Sequence, residues 1–157
     1  MINRRRLAVI AVILCVSFIS EVYAEEIITA RTPDDILNIA KGFGYAKLEK
    51  DSQGDPKVSG RIEGTAYGVY FYGCTNGENC NDVQFAVGWS GVKVSMDRIN
   101  EWNRTKRYGK AYLDKEGDPI LEMVVNLDHG VTVKNFEDTF DWWIKAMKQF
   151  KEEVVDG

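Results

Sequence analysis

An α+β fold is what this sequence predicts, with element order α-β-β-β-α-β-β-α and helices packed on a mainly antiparallel sheet. Three observations carry that reading. Apolar residues recur at helical spacing in three segments that open on Thr32, Ser95 and Thr132. Strict alternation marks the stretches between them as strands. Those strands come in pairs joined by short Gly-, Asn-, Asp- and Pro-rich loops, the chemistry of hairpins and so of antiparallel neighbours.

The chain opens on Met1 to Arg6, with three consecutive arginines, followed by an almost purely apolar run from Leu7 to Ile19. Val22, Tyr23 and Ala24 then place small residues at the first and third positions before Glu25 and Glu26. A positive start, a short apolar run and a small-x-small exit make a secretory signal peptide, with cleavage expected after Ala24 and a periplasmic or secreted destination. The rival reading is a membrane anchor, but about 20 apolar residues are needed to span a bilayer and this run is shorter. Leu14 before Cys15 does not fit a lipoprotein signal, and the residues around the arginines match a twin-arginine signal poorly.

Removing 24 of the 157 residues leaves 133, enough for one domain with its own core. The leader's three arginines and one glutamate carry +2, so the net charge falls from −4 to −6. An acidic surface argues against nucleic acid and, once the leader is gone, against anionic membranes, both of which reward positive charge. Residues 25–31 are expected to be a short linker, and 32–154 the domain.

Thr32, Pro33, Asp34 and Asp35 combine a hydroxyl cap, a proline in the first turn and carboxylates at the positive end of the dipole. Ile36, Ile39, Ala40 and Phe43 follow at helical spacing, and Gly44 stops the helix. Residues 45–50 form a short strand, 51–56 a turn and 57–63 a further extended stretch, the first strand being broken in two at that turn. Tyr67, Val69 and Phe71 then alternate against Tyr70 and Tyr72. Val83, Phe85, Val87 and Trp89 alternate against Gln84, Ala86 and Gly88.

Between these two strands stand Cys74 and Cys80, flanking an Asn76-Gly77 turn signal. In an oxidising compartment so close a pair is expected to form a disulfide clipping the hairpin end. Five intervening residues do not match the Cys-x-x-Cys spacing of thioredoxin-like redox sites.

Ser95 caps a second helix, 96–105, expected to bury Met96, Ile99 and Trp102. Residues 110–114 and 120–127 make another hairpin, with Leu121, Met123, Val125 and Leu127 on one side. Its turn, Asp114 to Pro119, repeats the pattern of Asp51 to Pro56, an echo that shared hairpin chemistry explains. Thr132 caps the last helix. Phe136, Phe140, Trp143, Met147, Phe150 and Val154 form one narrow stripe along it, the face that closes the core on the sheet. Trp142 lies off that stripe beside Asp141 and Lys145, which marks a partly wet face.

With the Tyr70-Phe71-Tyr72-Gly73-Cys74 strand set in this element order, the chain resembles the YbjN-type domain family of bacteria, described as a sensory transduction regulator. The resemblance runs from about Thr32 to Phe150. It rests on the Thr32-Pro33-Asp34 helix start, the aromatic-Gly-Cys strand, the Trp89 strand end and the final Phe/Trp helix. It implies a fold similar to type III secretion chaperones and a regulatory role. The better-known members are cytosolic, and this chain departs from them in its export signal.

Chemistry-bearing groups are sparse. His129 is the single histidine and no Gly-x-Ser-x-Gly elbow accompanies it, so a Ser-His-Asp site is not expected. One histidine and two paired cysteines leave too few ligands for zinc, and neither metal nor cofactor is expected. Asp51, Asp55, Asp114 and Asp118 belong to turns and lack the ligand spacing of a calcium loop. Gly42 and Gly44 follow a helix, the reverse of a phosphate cradle. The expectation is therefore a non-catalytic binding or regulatory module whose interaction surface includes Tyr70, Tyr72 and Trp142. Its partner would be a protein, or a second copy in a homodimer. The rivals are a sensor of a small molecule or lipid, and an enzyme built on a carboxylate or His129.

Overall fold

The computed structural model describes residues 25–157, so the expected signal peptide lies outside the described residues. Two layers make up the rest. One is a six-stranded antiparallel sheet of β2 (Tyr45–Lys50), β3 (Pro56–Ile62), β4 (Thr65–Tyr72), β5 (Asp82–Gly88), β6 (Lys110–Leu113) and β7 (Pro119–Asn126). Its strand order is β2-β3-β4-β5-β7-β6. The other layer is three helices, α1 (Pro33–Phe43), α2 (Met96–Thr105) and α3 (Val133–Phe150), the last continuing into a π-helical turn over Lys151–Val155. The α+β class holds, and the stretches on either side of the Asp51–Asp55 turn are two full strands paired from Tyr45↔Arg61 to Lys50↔Pro56.

All three helices cover the same face. Val58, Tyr67, Val69, Phe71, Val83, Phe85, Val87 and Leu121 point inward from the strands and are buried. The α3 stripe lies on them: Phe136, Phe140, Trp143, Met147, Phe150 and Val154 are all buried. Phe140 is the hub, stacked on Phe43 at 4.8 Å and set edge-on to Phe85 at 5.1 Å and Tyr67 at 5.9 Å. Phe150 joins Trp89 to Trp102 of α2, at 5.4 and 5.0 Å. Each aromatic so enclosed is worth about 2–3 kcal/mol of transfer free energy, which makes this seam the main source of stability.

Some details differ from the expected pattern. Residues 25–31, expected as a linker, contain β1 (Ile27–Ile28), which pairs with β8 (Val131–Thr132) ahead of α3, and Ile28 and Ala30 are buried. Two residues are too short a run for periodicity to announce. Met96 is exposed rather than buried, because it occupies the first position of α2, and Ile99 and Trp102 make the contact with the core. On α1, Leu37 joins Ile36 and Ala40 in the core while Ile39 and Phe43 are partly buried. Thr32 gives α1 no side-chain cap and its hydroxyl instead donates to the Thr29 carbonyl. The other two caps form: Ser95 Oγ accepts from the Arg98 amide and Thr132 Oγ1 from the Asn135 amide.

The two similar turns are one device used twice. Asp51 Oδ1 accepts the amides of Gln53 and Asp55, and Asp114 Oδ1 those of Glu116 and Asp118. Gly54 and Gly117 follow with φ of 89° and 81°, which a residue with a side chain rarely adopts. Asp118 goes further and anchors the loop after β5, accepting from the Gly91 amide and from Lys93 Nζ. At the end of the β4–β5 hairpin, Cys74 and Cys80 are bonded to each other. Between them Thr75 and Glu78 exchange backbone hydrogen bonds around Asn76 and Gly77, with φ of 53° and 76°, a type I′ turn.

Candidate functional site

Among the described residues every helix lies on one side, and the other face of the sheet is left open. Outward positions alternate with the buried ones: Lys57 on β3, Tyr70 and Tyr72 on β4, Gln84 and Ala86 on β5, Ile120, Glu122 and Val124 on β7, Lys110 and Tyr112 on β6. The tyrosine pair expected as an interaction surface therefore has no helical cover; Tyr72 is 44% exposed.

Small residues at the centre make this face concave. A Cβ on Gly68 would stand 2.7 Å from the Tyr70 ring, and one on Gly88 2.6 Å from Ile120 Cδ1. Both large side chains lie flat along the sheet for that reason. The result is a shallow trough in two joined halves of about 380 and 290 Å³, which share Tyr70, Ala86 and Gly88.

Charge is arranged symmetrically about the trough. Lys57 Nζ lies 4.8 Å from the centre of the Tyr70 ring and 3.7 Å from Glu49. On the far side Lys110 Nζ lies 5.1 Å from the centre of the Tyr112 ring and 3.1 Å from Glu122. The Tyr112 hydroxyl donates to Glu122 Oε1 at 2.6 Å. Burial, then that hydrogen bond, pushes Tyr112 up to about 12, and burial raises Tyr72 as well. Hydrogen bonds from Lys47 and Ser59 hold Glu49 down at about 2. Both directions reinforce the forms these groups take at neutral pH, a neutral Tyr72 and Tyr112 and a charged Glu49.

Trp142 is elsewhere. It sits on α3 in the opposite layer, stacked on Tyr108 at 4.9 Å, so the structure separates it from Tyr70 and Tyr72. The three residues form two surfaces. His129 projects into solvent with its side chain 96% exposed, and Asp128 lies 3.7 Å away. Among the described residues no cluster of three or more metal-ligating side chains occurs, and no helix is long and apolar enough to cross a membrane.

Sequence reasoning missed Tyr112, Ile120 and Val124 as neighbours of the tyrosine pair. Their outward phase was readable from alternation. Their proximity was not, since it depends on β7 rather than β6 lying beside β5. Tyr108 and Arg107 beside Trp142 gave no signal at all.

A model of the YbjN family, described as "Putative bacterial sensory transduction regulator", matches residues 32–155 of the chain. No curated protein matches it.

Proposed function

The chain belongs to the YbjN family, and from that premise we propose that it is a non-catalytic regulatory module, exported to the periplasm, that captures a protein segment or a second copy of itself on the open sheet face. The observation that carries this is the trough itself: the Tyr70 ring lying over Gly68 and Ile120 over Gly88, rimmed by lysine–glutamate pairs, with no helix above it among the described residues. Tyrosine is suited to such a surface because it brings large contact area with few rotors, and its hydroxyl tolerates both water and a partner. Alternating ion pairs at the rim favour one orientation of the partner more than they add affinity.

The same face supports the non-catalytic reading. Its carboxylates are held by lysine or tyrosine donors, and the solvated histidine pairs, among the described residues, with its own neighbour Asp128. Replacing both Tyr70 and Tyr72 by Ala should weaken self-association or partner capture about tenfold or more while leaving the far-UV circular dichroism spectrum intact. Sedimentation velocity and pull-down from the exporting cell measure this. Unchanged profiles in both would contradict the proposal.

A further inference from the structure

A second concave surface lies on the helical layer, where the turn after α2 meets α3. Trp102, Tyr108 and Trp142 supply rings to a cleft of about 400 Å³, and Lys106, Arg107 and Lys145 supply its cations. Tyr108 and Trp142 stack with an interplanar angle of 24°. Lys145 Nζ stands 4.7 Å from the centre of the Trp142 ring and Lys106 Nζ 5.4 Å from that of Trp102. No acidic residue lines the cleft, although the chain as a whole carries −4.

The state of the three cations is informative. Lys106 reaches away to Glu153 at 2.8 Å and Lys145 to Asp141 at 2.6 Å. The Lys145–Asp141 pair is solvent-exposed and the Lys106–Glu153 pair is half-exposed, so little is lost when a lysine exchanges its partner for another anion. Arg107 makes no ion pair among the described residues, which leaves its planar fork free beside the rings. Aromatic walls with an unpaired guanidinium and two exchangeable ammonium groups recognise a flat apolar body that carries a negative charge. The volume falls in the range of small-molecule sites.

We propose that this cleft is a binding site for a small planar anion, an aromatic carboxylate or sulfonate, whose ring packs against Tyr108 and Trp142 and whose charge rests on Arg107. The site is on the layer opposite the tyrosine trough, so it stands or falls separately from the reading of that face.

The test is a fluorescence titration of the full chain with 8-anilinonaphthalene-1-sulfonate and with its uncharged counterpart N-phenyl-1-naphthylamine, followed in parallel by the indole N–H resonances. Saturable one-to-one binding of the sulfonate that shifts the Trp142 signal is expected. Arg107→Gln should weaken it about tenfold, the loss of one charge-assisted contact, with the melting temperature and the affinity for the neutral probe unchanged. Sulfonate affinity that is equal in wild type and Arg107→Gln would overturn the assignment. So would the absence of saturable binding, or binding abolished by Tyr70→Ala with Tyr72→Ala but untouched by Arg107→Gln.

Discussion

Tyr67 points into the core with its hydroxyl buried and, among the described residues, without a hydrogen-bond partner, and Trp143 Nε1 is in the same position. An unsatisfied buried hydroxyl opposes folding, so Tyr67→Phe should leave stability unchanged or raise it by about 1 kcal/mol. Chemical denaturation measures this, and a loss larger than that would mean the hydroxyl has a role. The same residue contributes to an alkaline limit, as Tyr112 does. Burial pushes Tyr67 from its ordinary value of 10.0 to about 12, so between these values the native state keeps a proton that the unfolded chain releases. Stability therefore falls as pH rises above 10. Tyr67→Phe removes that contribution, and the midpoint of alkaline unfolding should move to higher pH. At this scale the sequence was least informative. Alternation placed Tyr67 inward and Tyr72 outward correctly, but Met96 failed because a helix's first turn need not touch the core. The stacking of Tyr108 on Trp142 joins residues 34 positions apart with no local pattern to show it.

Hairpins are the elements on which local chemistry speaks most clearly. Asn76 and Gly77 took the positive φ values that their type I′ turn requires, and the flanking cysteines closed around it. On the chain-entropy account so short a loop contributes about 2 kcal/mol, so Cys74→Ser should lower the melting temperature by about 5–10 °C. No change on scanning calorimetry would show that the turn alone holds the hairpin. The two aspartate turns should differ. Asp51→Ala and Asp114→Ala each remove a side chain that accepts two amides, at about 1–2 kcal/mol. Only the Asp114 turn also positions Asp118, to which the Gly91 amide and Lys93 are tied, so its loss should loosen the loop after β5 in hydrogen exchange while Asp51→Ala does not. Helix α3 was equally legible, since a stripe of six large apolar side chains permits one packing face. Phe140→Ala, at the centre of that stripe, should cost about 3–5 kcal/mol, measured by urea denaturation.

At the scale of the whole fold, the decisive fact is that the three helices among the described residues share one side of the sheet. Periodicity gave each element its buried side, and the number of elements fixed the α+β class. Neither told which strand neighbours which. The crossover through α2 brings β7, not β6, beside β5, and only that pairing sets Glu122 and Ile120 next to Ala86 and Gly88 to complete the trough. Long-range pairing of this kind depends on how the layers close, which no window of local sequence contains. A two-layer architecture with one naked face is stable alone if that face is polar enough, and the lysine–glutamate rim meets this need. It also leaves an aromatic surface available, which a regulator can use for recognition.

The most direct measurement of that claim is photo-crosslinking in the cells that make the protein, with a photoreactive residue at Tyr72 and, as a control, at the exposed Met96 on the helical layer. A discrete adduct is expected from position 72 that is absent from position 96 and disappears when Ala86→Arg places a charge in the trough. Equal labelling from both positions, or an adduct at 72 that survives Ala86→Arg, would contradict it.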